Sequence, residues 1–260
     1  MSSLVTTCSQ KEYELEVCAN SPLSCKAARE GGAQRVELCA SLPEGGTTPS
    51  YGAIKLSRKV VGDHIALHVI IRPRGGDFIY TEEEVNEMVA DIEMCRHLGV
   101  DGVVFGCLTQ EGDYDEYANS RLLEAAKGMS VTFHRAFDYS RNLYELMELL
   151  IARGFHRVLT SGGAPTAPQG AEMLRRLVIG ANERIGIMCG GGITPTNLEA
   201  LAQETGARMF HGTFKCERTS ISHHKSPLLN VSDTYIIDAY NGLQSDKEAI
   251  ACARRILNGL

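Results

Sequence analysis

Two kinds of apolar pattern alternate along this chain. Apolar side chains in 143–151 recur every three or four residues, from Leu143 and Leu146 through Leu150, which is the period of an amphipathic helix. Several such stretches end in a glycine, as at Gly99 and Gly154, and a short apolar run follows. Glycine caps a helix without steric cost, so we predict the following runs as strands. The predicted strands are 13–19, 35–40, 64–72, 102–107, 130–138, 157–162, 184–190 and 208–214.

Regular alternation of strand and helix predicts the fold. Eight β/α units without a linker or composition break indicate one (β/α)8 TIM barrel over 13–260, closed by a last helix at about 246–257 and preceded by a flexible lead-in at 1–12. The length of 260 residues is close to the roughly 250 typical of this barrel. A doubly wound open sheet is the alternative. In a barrel, ligands bind where the strands end at their carboxyl side.

Composition excludes some partners. A net charge of −6 argues against nucleic acid, which attracts a basic face. No apolar run approaches the roughly 18 residues of a membrane span, so no membrane partner is expected. Nine cysteines are scattered without the spacing of a disulfide framework, which favours reduced thiols in the cytoplasm. We expect a cytoplasmic protein, with the nucleus as a second possible compartment.

Two early strands carry the same polar motif, Glu-x-Cys-Ala, 21 residues apart. Residues two apart in a strand share a face. Glu16 and Cys18 therefore point one way, and Glu37 and Cys39 repeat the arrangement on the next strand. With apolar residues on the opposite faces, the polar pairs are expected to line the centre of the barrel.

Other strand ends are polar as well, although a scaffold needs no charge there. Buried charges cost free energy unless they are paired or bind something. The residues of this ring are a candidate catalytic pocket of unknown reaction. They are Glu16, Glu37, Arg72, His134, Asp138 and His211. The simpler alternative is a self-contained network in which Arg72 neutralises both glutamates.

Two features of this ring could serve an enzyme. His134 could act as a general acid or base, and Arg72 could hold a carboxylate or phosphate bidentately. A glycine triplet, Gly190, Gly191 and Gly192, precedes a helix start and is a possible anion site. The substrate would be a small anionic metabolite, phosphorylated or carboxylated.

Longer strings within these elements resemble the CutC copper homeostasis family. They are LEVC at 15–18, RVELC at 35–39, EGGTTPS at 44–50, IRPRGGDF at 71–78, TFHRAFD at 132–138, LTSG at 159–162 and GGGI at 190–193. The resemblance covers about 13–214 and implies a (β/α)8 barrel, a cytosolic location, a homo-oligomer (dimer or tetramer) and a copper(I) role. Cys189 stands where the family usually has proline, and 212–232 and the C-terminus look less familiar.

Cys18 and Cys39 are the candidate metal ligands. Soft thiolates select Cu(I), and neighbouring strands are about 4.8 Å apart, so the two sulfurs could clasp one copper ion roughly linearly. A disulfide or two small core residues are the alternatives. Cys189 could be a further ligand, but we favour the interpretation that it only packs in the core. Three functions therefore remain open: copper(I) binding, an enzyme of unassigned reaction, and an assembly scaffold.

Overall fold

The computed structural model describes residues 12–224 and 241–260. Eight parallel strands form a closed barrel in sequence order, and β8 pairs with β1 to complete the ring. The strands are β1 (Glu14–Ala19), β2 (Arg35–Leu38), β3 (Ala66–Ile70), β4 (Gly102–Phe105), β5 (Ser130–Phe133), β6 (Arg157–Thr160), β7 (Gly186–Gly190) and β8 (Met209–Gly212). This closure confirms the predicted (β/α)8 fold and removes the open-sheet alternative.

Helices follow the strands in the order that the apolar periods predict. They are α1 (Pro22–Glu30), α2 (Tyr51–Val61), α3 (Glu82–His97), α4 (Glu116–Ala125), α5 (Leu143–Ala152), α6 (Ala171–Ala181), α7 (Pro195–Thr205) and α8 (Lys247–Asn258). Local chemistry fixes their starts: Ser21 caps α1, which begins with proline, and Thr81 forms a capping box with Glu84. None of the helices in the described ranges is long and apolar enough to cross a membrane.

All eight strands are shorter than predicted, and the third and fifth are shortened most. The third occupies Ala66–Ile70 rather than 64–72, because Arg72 turns to meet the loop after β2. The fifth ends at Phe133 rather than 138, because Arg135–Tyr139 forms a 3-10 helix. The segments after β3 and β5 thus leave the sheet early at the mouth of the barrel and supply side chains there.

An unpredicted two-stranded antiparallel sheet follows the barrel. It consists of β9 (Lys215–Thr219) and β10 (Asn241–Ser245). Side chains of β9 are largely exposed, so this strand lacks the apolar run on which the other strands were predicted. The predicted lead-in at 1–12 lies almost wholly outside the described residues, as does the latter part of 212–232.

The core has two parts. Leu15 and Val17 belong to a large apolar layer between the barrel and the helices, whereas Cys18, Cys39 and Ile70 form a small separate cluster. This separation confirms the alternation predicted for β1 and β2. The apolar residues that hold the helices face outward, and the remaining positions are left to line the barrel interior.

Candidate metal site at the barrel mouth

A cavity of about 260 Å³ opens at the carboxyl ends of the strands. It brings together most of the predicted ring. The predicted residues that line it are Cys18, Glu37, Cys39, Arg72, His134 and His211. Glu16 and Asp138 are not part of its wall.

The two thiols meet despite an offset in strand register. β1 and β2 pair Cys18 with Glu37 rather than with Cys39, because strands in a barrel are staggered and tilted. The two Sγ atoms nevertheless lie 3.6 Å apart. Both cysteines are free and buried, so the alternative of a disulfide is not realised in this structure.

The thiols differ in acidity. The largest influence on the pKa of Cys18 is its contact with Cys39. This contact and a hydrogen bond from His211 lower the pKa of Cys18 to about 5, although burial acts in the opposite direction. The same contact raises the pKa of Cys39 well above its usual value, and burial adds to the rise. At neutral pH the pair is therefore one thiolate and one thiol.

A charged layer lies directly beneath the thiols. Nδ1 of His211 is 2.7 Å from Oε1 of Glu16, and Nε2 of His211 is 3.6 Å from Oε2 of Glu37. Burial would lower the pKa of His211, but Cys18 and both glutamates raise it well above its usual value. Beneath Cys18, His211 is therefore a cation.

The two glutamates of this layer have opposite acidities. Burial would raise the pKa of Glu16, but Arg35 and His211 outweigh it and hold the carboxyl ionised. Burial raises the pKa of Glu37 to about 8, with the negative charges of Cys18 and Glu16 adding to the rise. Oε1 of Glu37 has no hydrogen-bond partner in the described part of the chain.

Arg35, not Arg72, is the arginine of this layer, so the alternative of a self-contained network of Arg72 with Glu16 and Glu37 is not what the structure shows. The Arg35 side chain binds Oε2 of Glu16 through Nε and Oε2 of Glu14 at 2.8 Å through Nη1. Strand register explains the choice, since Arg35 is the direct neighbour of Glu16. The sequence contained the signal: Arg35 stands two residues before Glu37 and shares its face.

Arg72 instead fastens the loops above the cavity. Its guanidinium donates to the carbonyl oxygens of Glu44 and Gly46 at 2.9 Å and of Gly76 at 2.7 Å. It also stacks 4.9 Å from the centre of the Phe78 ring. Most of its donors are thus used within the protein.

His134 faces the cavity as a neutral imidazole. Burial, with the nearby charge of Arg72, lowers the pKa of His134 to about 3. Its Nδ1 accepts the N–H of Ala136 at 3.3 Å, which places the ring proton on Nε2. Nε2 is buried and has no partner among residues 12–224 and 241–260.

Asp138 serves the loop after β6. It accepts hydrogen bonds from Thr160, Ser161 and Gly163, and pairs with Arg135 at 2.8 Å. These contacts occupy the carboxylate away from the cavity wall. The structure therefore does not bring Asp138 together with Glu37 and His211.

The glycine triplet also lies outside the cavity wall. Gly190 is packed so closely that a Cβ would lie 2.4 Å from Leu159 Cδ1. At the following helix start, the N–H of Thr194 donates to Oδ1 of Asn197 at 3.0 Å, so part of the donor set of this helix end is used internally. Cys189 lies in the outer apolar layer, where burial raises its pKa to about 12.

Fold and site together define a (β/α)8-barrel protein with a buried dithiol at the mouth of the barrel. The family model for CutC matches residues 13–216, and the chain belongs to the CutC family. A CutC family protein of Porphyromonas gingivalis is 51% identical over 247 residues, covering 95% of this chain and 99% of that protein. The human copper homeostasis protein cutC homolog is 43% identical over 208 residues, covering 80% of this chain and 76% of the human protein.

Solved structures agree with this assignment. CutC from Streptococcus agalactiae superimposes with a TM-score of 0.75 at 37% identity, covering 77% of this chain and 98% of that one. Thiamine phosphate pyrophosphorylase from Pyrococcus furiosus has a TM-score of 0.58 at 16% identity, with 95% and 96% covered. The second likeness concerns the barrel fold alone.

Proposed function

We propose that this protein is a cytosolic copper homeostasis protein that binds Cu(I) through Cys18 and Cys39. The observation that carries the proposal is that two buried thiols face each other with their sulfurs 3.6 Å apart, within about 1 Å of the spacing that one linearly coordinated ion requires. Thiolates are the protein ligands that Cu(I) prefers over oxygen donors, and relatives named for copper homeostasis share much of the sequence and the fold.

Charges around the thiols can balance one Cu(I) ion. One thiolate is already present at Cys18, and the cations of Arg35 and His211 are balanced by Glu16 and by that thiolate. Binding of Cu(I) by both sulfurs needs Cys39 to lose its proton, so about one proton is released per copper near neutral pH. His211 holds its charge beneath Cys18 and stabilises the second thiolate as it forms.

The test is competition for Cu(I) against a chromogenic chelator under reducing conditions. Cys18→Ser and Cys39→Ser should each weaken copper binding at least tenfold, on the order of one lost thiolate ligand. Cys252→Ser on α8 is the matched control and should bind as the wild type does. Unchanged affinity in both pocket variants would remove this site.

A second candidate is an enzyme acting on a small metabolite in the same cavity. The unpartnered Nε2 of His134 favours it, because a buried donor facing a cavity is suited to a ligand oxygen. Arg72 supports it less, since its donors serve loop carbonyls. Phosphorylated and carboxylated metabolites that raise the melting temperature of the wild type but not of His134→Phe would support this candidate.

Location and assembly follow from the same proposal. The eight cysteines in the described residues are free, as expected in a reducing compartment, and the comparisons lend no support to the nucleus. The homo-oligomer implied by the family resemblance is tested by light scattering of the purified chain.

A further inference from the structure

We infer that the pocket is also a site for a borderline divalent cation such as Zn²⁺, with Glu37 joining Cys18 and Cys39 as a third ligand. This inference goes beyond copper binding, because it assigns a new ligand and a different class of ion. It rests on the distances between the donor atoms and on an unsatisfied carboxylate oxygen.

The spacing of the sulfurs fits an ion with bent coordination. With metal–sulfur bonds of about 2.3 Å, tetrahedral geometry places two sulfurs roughly 3.8 Å apart and linear geometry roughly 4.6 Å apart. The observed separation is 3.6 Å. The thiols are thus already spaced for a tetrahedral ion, whereas a linear ion would require them to move apart.

Glu37 supplies a free donor at this place. Donor atoms of Cys18, Glu37 and Cys39 all lie within 4.8 Å of one another. Only 3% of Glu37 is exposed, and its Oε1 has no partner in the described residues. A carboxyl oxygen of Glu37 thus lies near the two sulfurs, and the group has hydrogen-bonding capacity that the described residues do not use.

The other oxygen of the same carboxyl group lies near a histidine. Oε2 of Glu37 lies 3.6 Å from Nε2 of His211, whose Nδ1 is fixed by Glu16 at 2.7 Å. An outer partner of this kind orients a ligating carboxylate. Because Oε1 has no partner in the described residues, the carboxyl group can bind an ion without giving up a hydrogen bond of that oxygen.

Ligand chemistry then selects the class of ion. Binding releases the protons of Cys39 and Glu37. The resulting two thiolates and one carboxylate form a mixed set that suits Zn²⁺, and three protein ligands leave a fourth position for water or a small molecule. The three residues all line the cavity of about 260 Å³, so the fourth position would open into it. A soft Cu(I) ion has no need of the carboxylate.

The experiment compares two ions on the same full-length proteins, reduced and stripped of metal. Zn²⁺ affinity is measured by competition with a chromophoric chelator, and Cu(I) affinity by its own chelator. Glu37→Gln should weaken Zn²⁺ binding at least about tenfold, while Cu(I) affinity stays within about threefold. Glu44→Gln is the control, since Glu44 lines the same cavity outside the three-residue cluster, and should leave both affinities unchanged.

Each outcome decides the inference separately from copper binding. Equal Zn²⁺ affinity in wild type and Glu37→Gln overturns it, and so does failure of the wild type to compete for Zn²⁺, whatever the Cu(I) result. Failure of the wild type to bind Cu(I) would overturn the proposed function instead. Should Glu37→Gln not fold, the Co²⁺ spectrum of the wild type decides: intense tetrahedral bands with thiolate charge transfer support the site, and weak octahedral bands refute it.

Discussion

His211 and Glu16 form a buried ion pair, with Nδ1 of the histidine 2.7 Å from Oε1 of the glutamate. The pair lies beneath the two thiols and connects these candidate metal ligands to the interior of the barrel. Through His211, a charge near the centre of the barrel adds to the lowering of the pKa of Cys18 at its mouth, after the larger effect of Cys39.

The first prediction concerns the ionisation of Cys18. Because contact with Cys39 and then His211 lowers its pKa to about 5, one thiolate should be present at pH 7 in the reduced, metal-free protein. Ultraviolet absorbance of the thiolate, followed from pH 4 to pH 9, should show one group titrating near pH 5. That step should vanish in Cys18→Ser and persist in Cys252→Ser. A wild type whose absorbance rises only near the ordinary thiol pKa of about 8.5 contradicts this account.

A second prediction tests the buried charge layer. Glu16→Gln leaves Arg35 and His211 without their main counter-charge, and breaking a buried pair of this kind costs about 3–5 kcal/mol. Glu14→Gln removes a partner of the same arginine whose side chain is 35% exposed, so it should cost less than about 1 kcal/mol. Urea unfolding of both variants measures the difference. Equal losses of unfolding free energy in the two variants would mean that Glu16 is not the main counter-charge of Arg35 and His211.

The third prediction uses the raised pKa of Glu37. Folding keeps this carboxyl protonated up to about pH 8, whereas the unfolded chain releases the proton near pH 4.3. Between these values the native state binds more protons than the unfolded state, so this group makes the free energy of unfolding fall as pH rises. Glu37→Gln lacks this titrating group. The free energy of unfolding of the variant, relative to that of the wild type, should therefore rise by about 1 kcal/mol per pH unit across that window.

Denaturant unfolding at pH 5, 6.5, 8 and 9 checks the third prediction in metal-free protein. The gap between Glu37→Gln and wild type should widen steadily and level off above pH 8. A gap that stays constant with pH would show that Glu37 is ionised in the folded protein, and the charge assignment of the site would be wrong.

A fourth prediction concerns the loops above the cavity. Arg72→Lys keeps the charge but lacks the planar fork that reaches several carbonyls at once. Losing hydrogen bonds to the carbonyls of Glu44, Gly46 and Gly76 should cost about 1–3 kcal/mol and loosen both loops. Hydrogen exchange should then speed up at 41–50 and 73–78 while β1 and β2 stay protected. Unchanged hydrogen exchange in these loops would contradict the proposal that Arg72 holds them in place.

The barrel was predictable because its signals are local. Helix periods, glycine caps and apolar strand runs each depend on a few neighbouring residues, and their number and order suffice for the fold. Alternation along β1 and β2 likewise predicted that Glu16 and Cys18 face the interior. Strand ends were less accurate, since Arg72 and His134 leave the sheet early for tertiary contacts that no local pattern contains.

Which charges pair was not predictable in the same way. Register between β1 and β2 places Arg35 beside Glu16 and Cys18 beside Glu37, and register depends on the stagger of the closed barrel. A period-two reading of β2 would have added Arg35 to the interior set. The occupation of Asp138 by the loop after β6 depends on contacts between distant segments, so sequence patterns gave no warning of it.

X-ray absorption at the copper edge of the Cu(I)-loaded protein tests the central claim most directly, because it counts the sulfurs bound to the ion. The account predicts two sulfur neighbours in the wild type and in Cys252→Ser, and one fewer in each of Cys18→Ser and Cys39→Ser. A copper shell of nitrogen or oxygen in the wild type, or two sulfurs retained in Cys18→Ser, would contradict it.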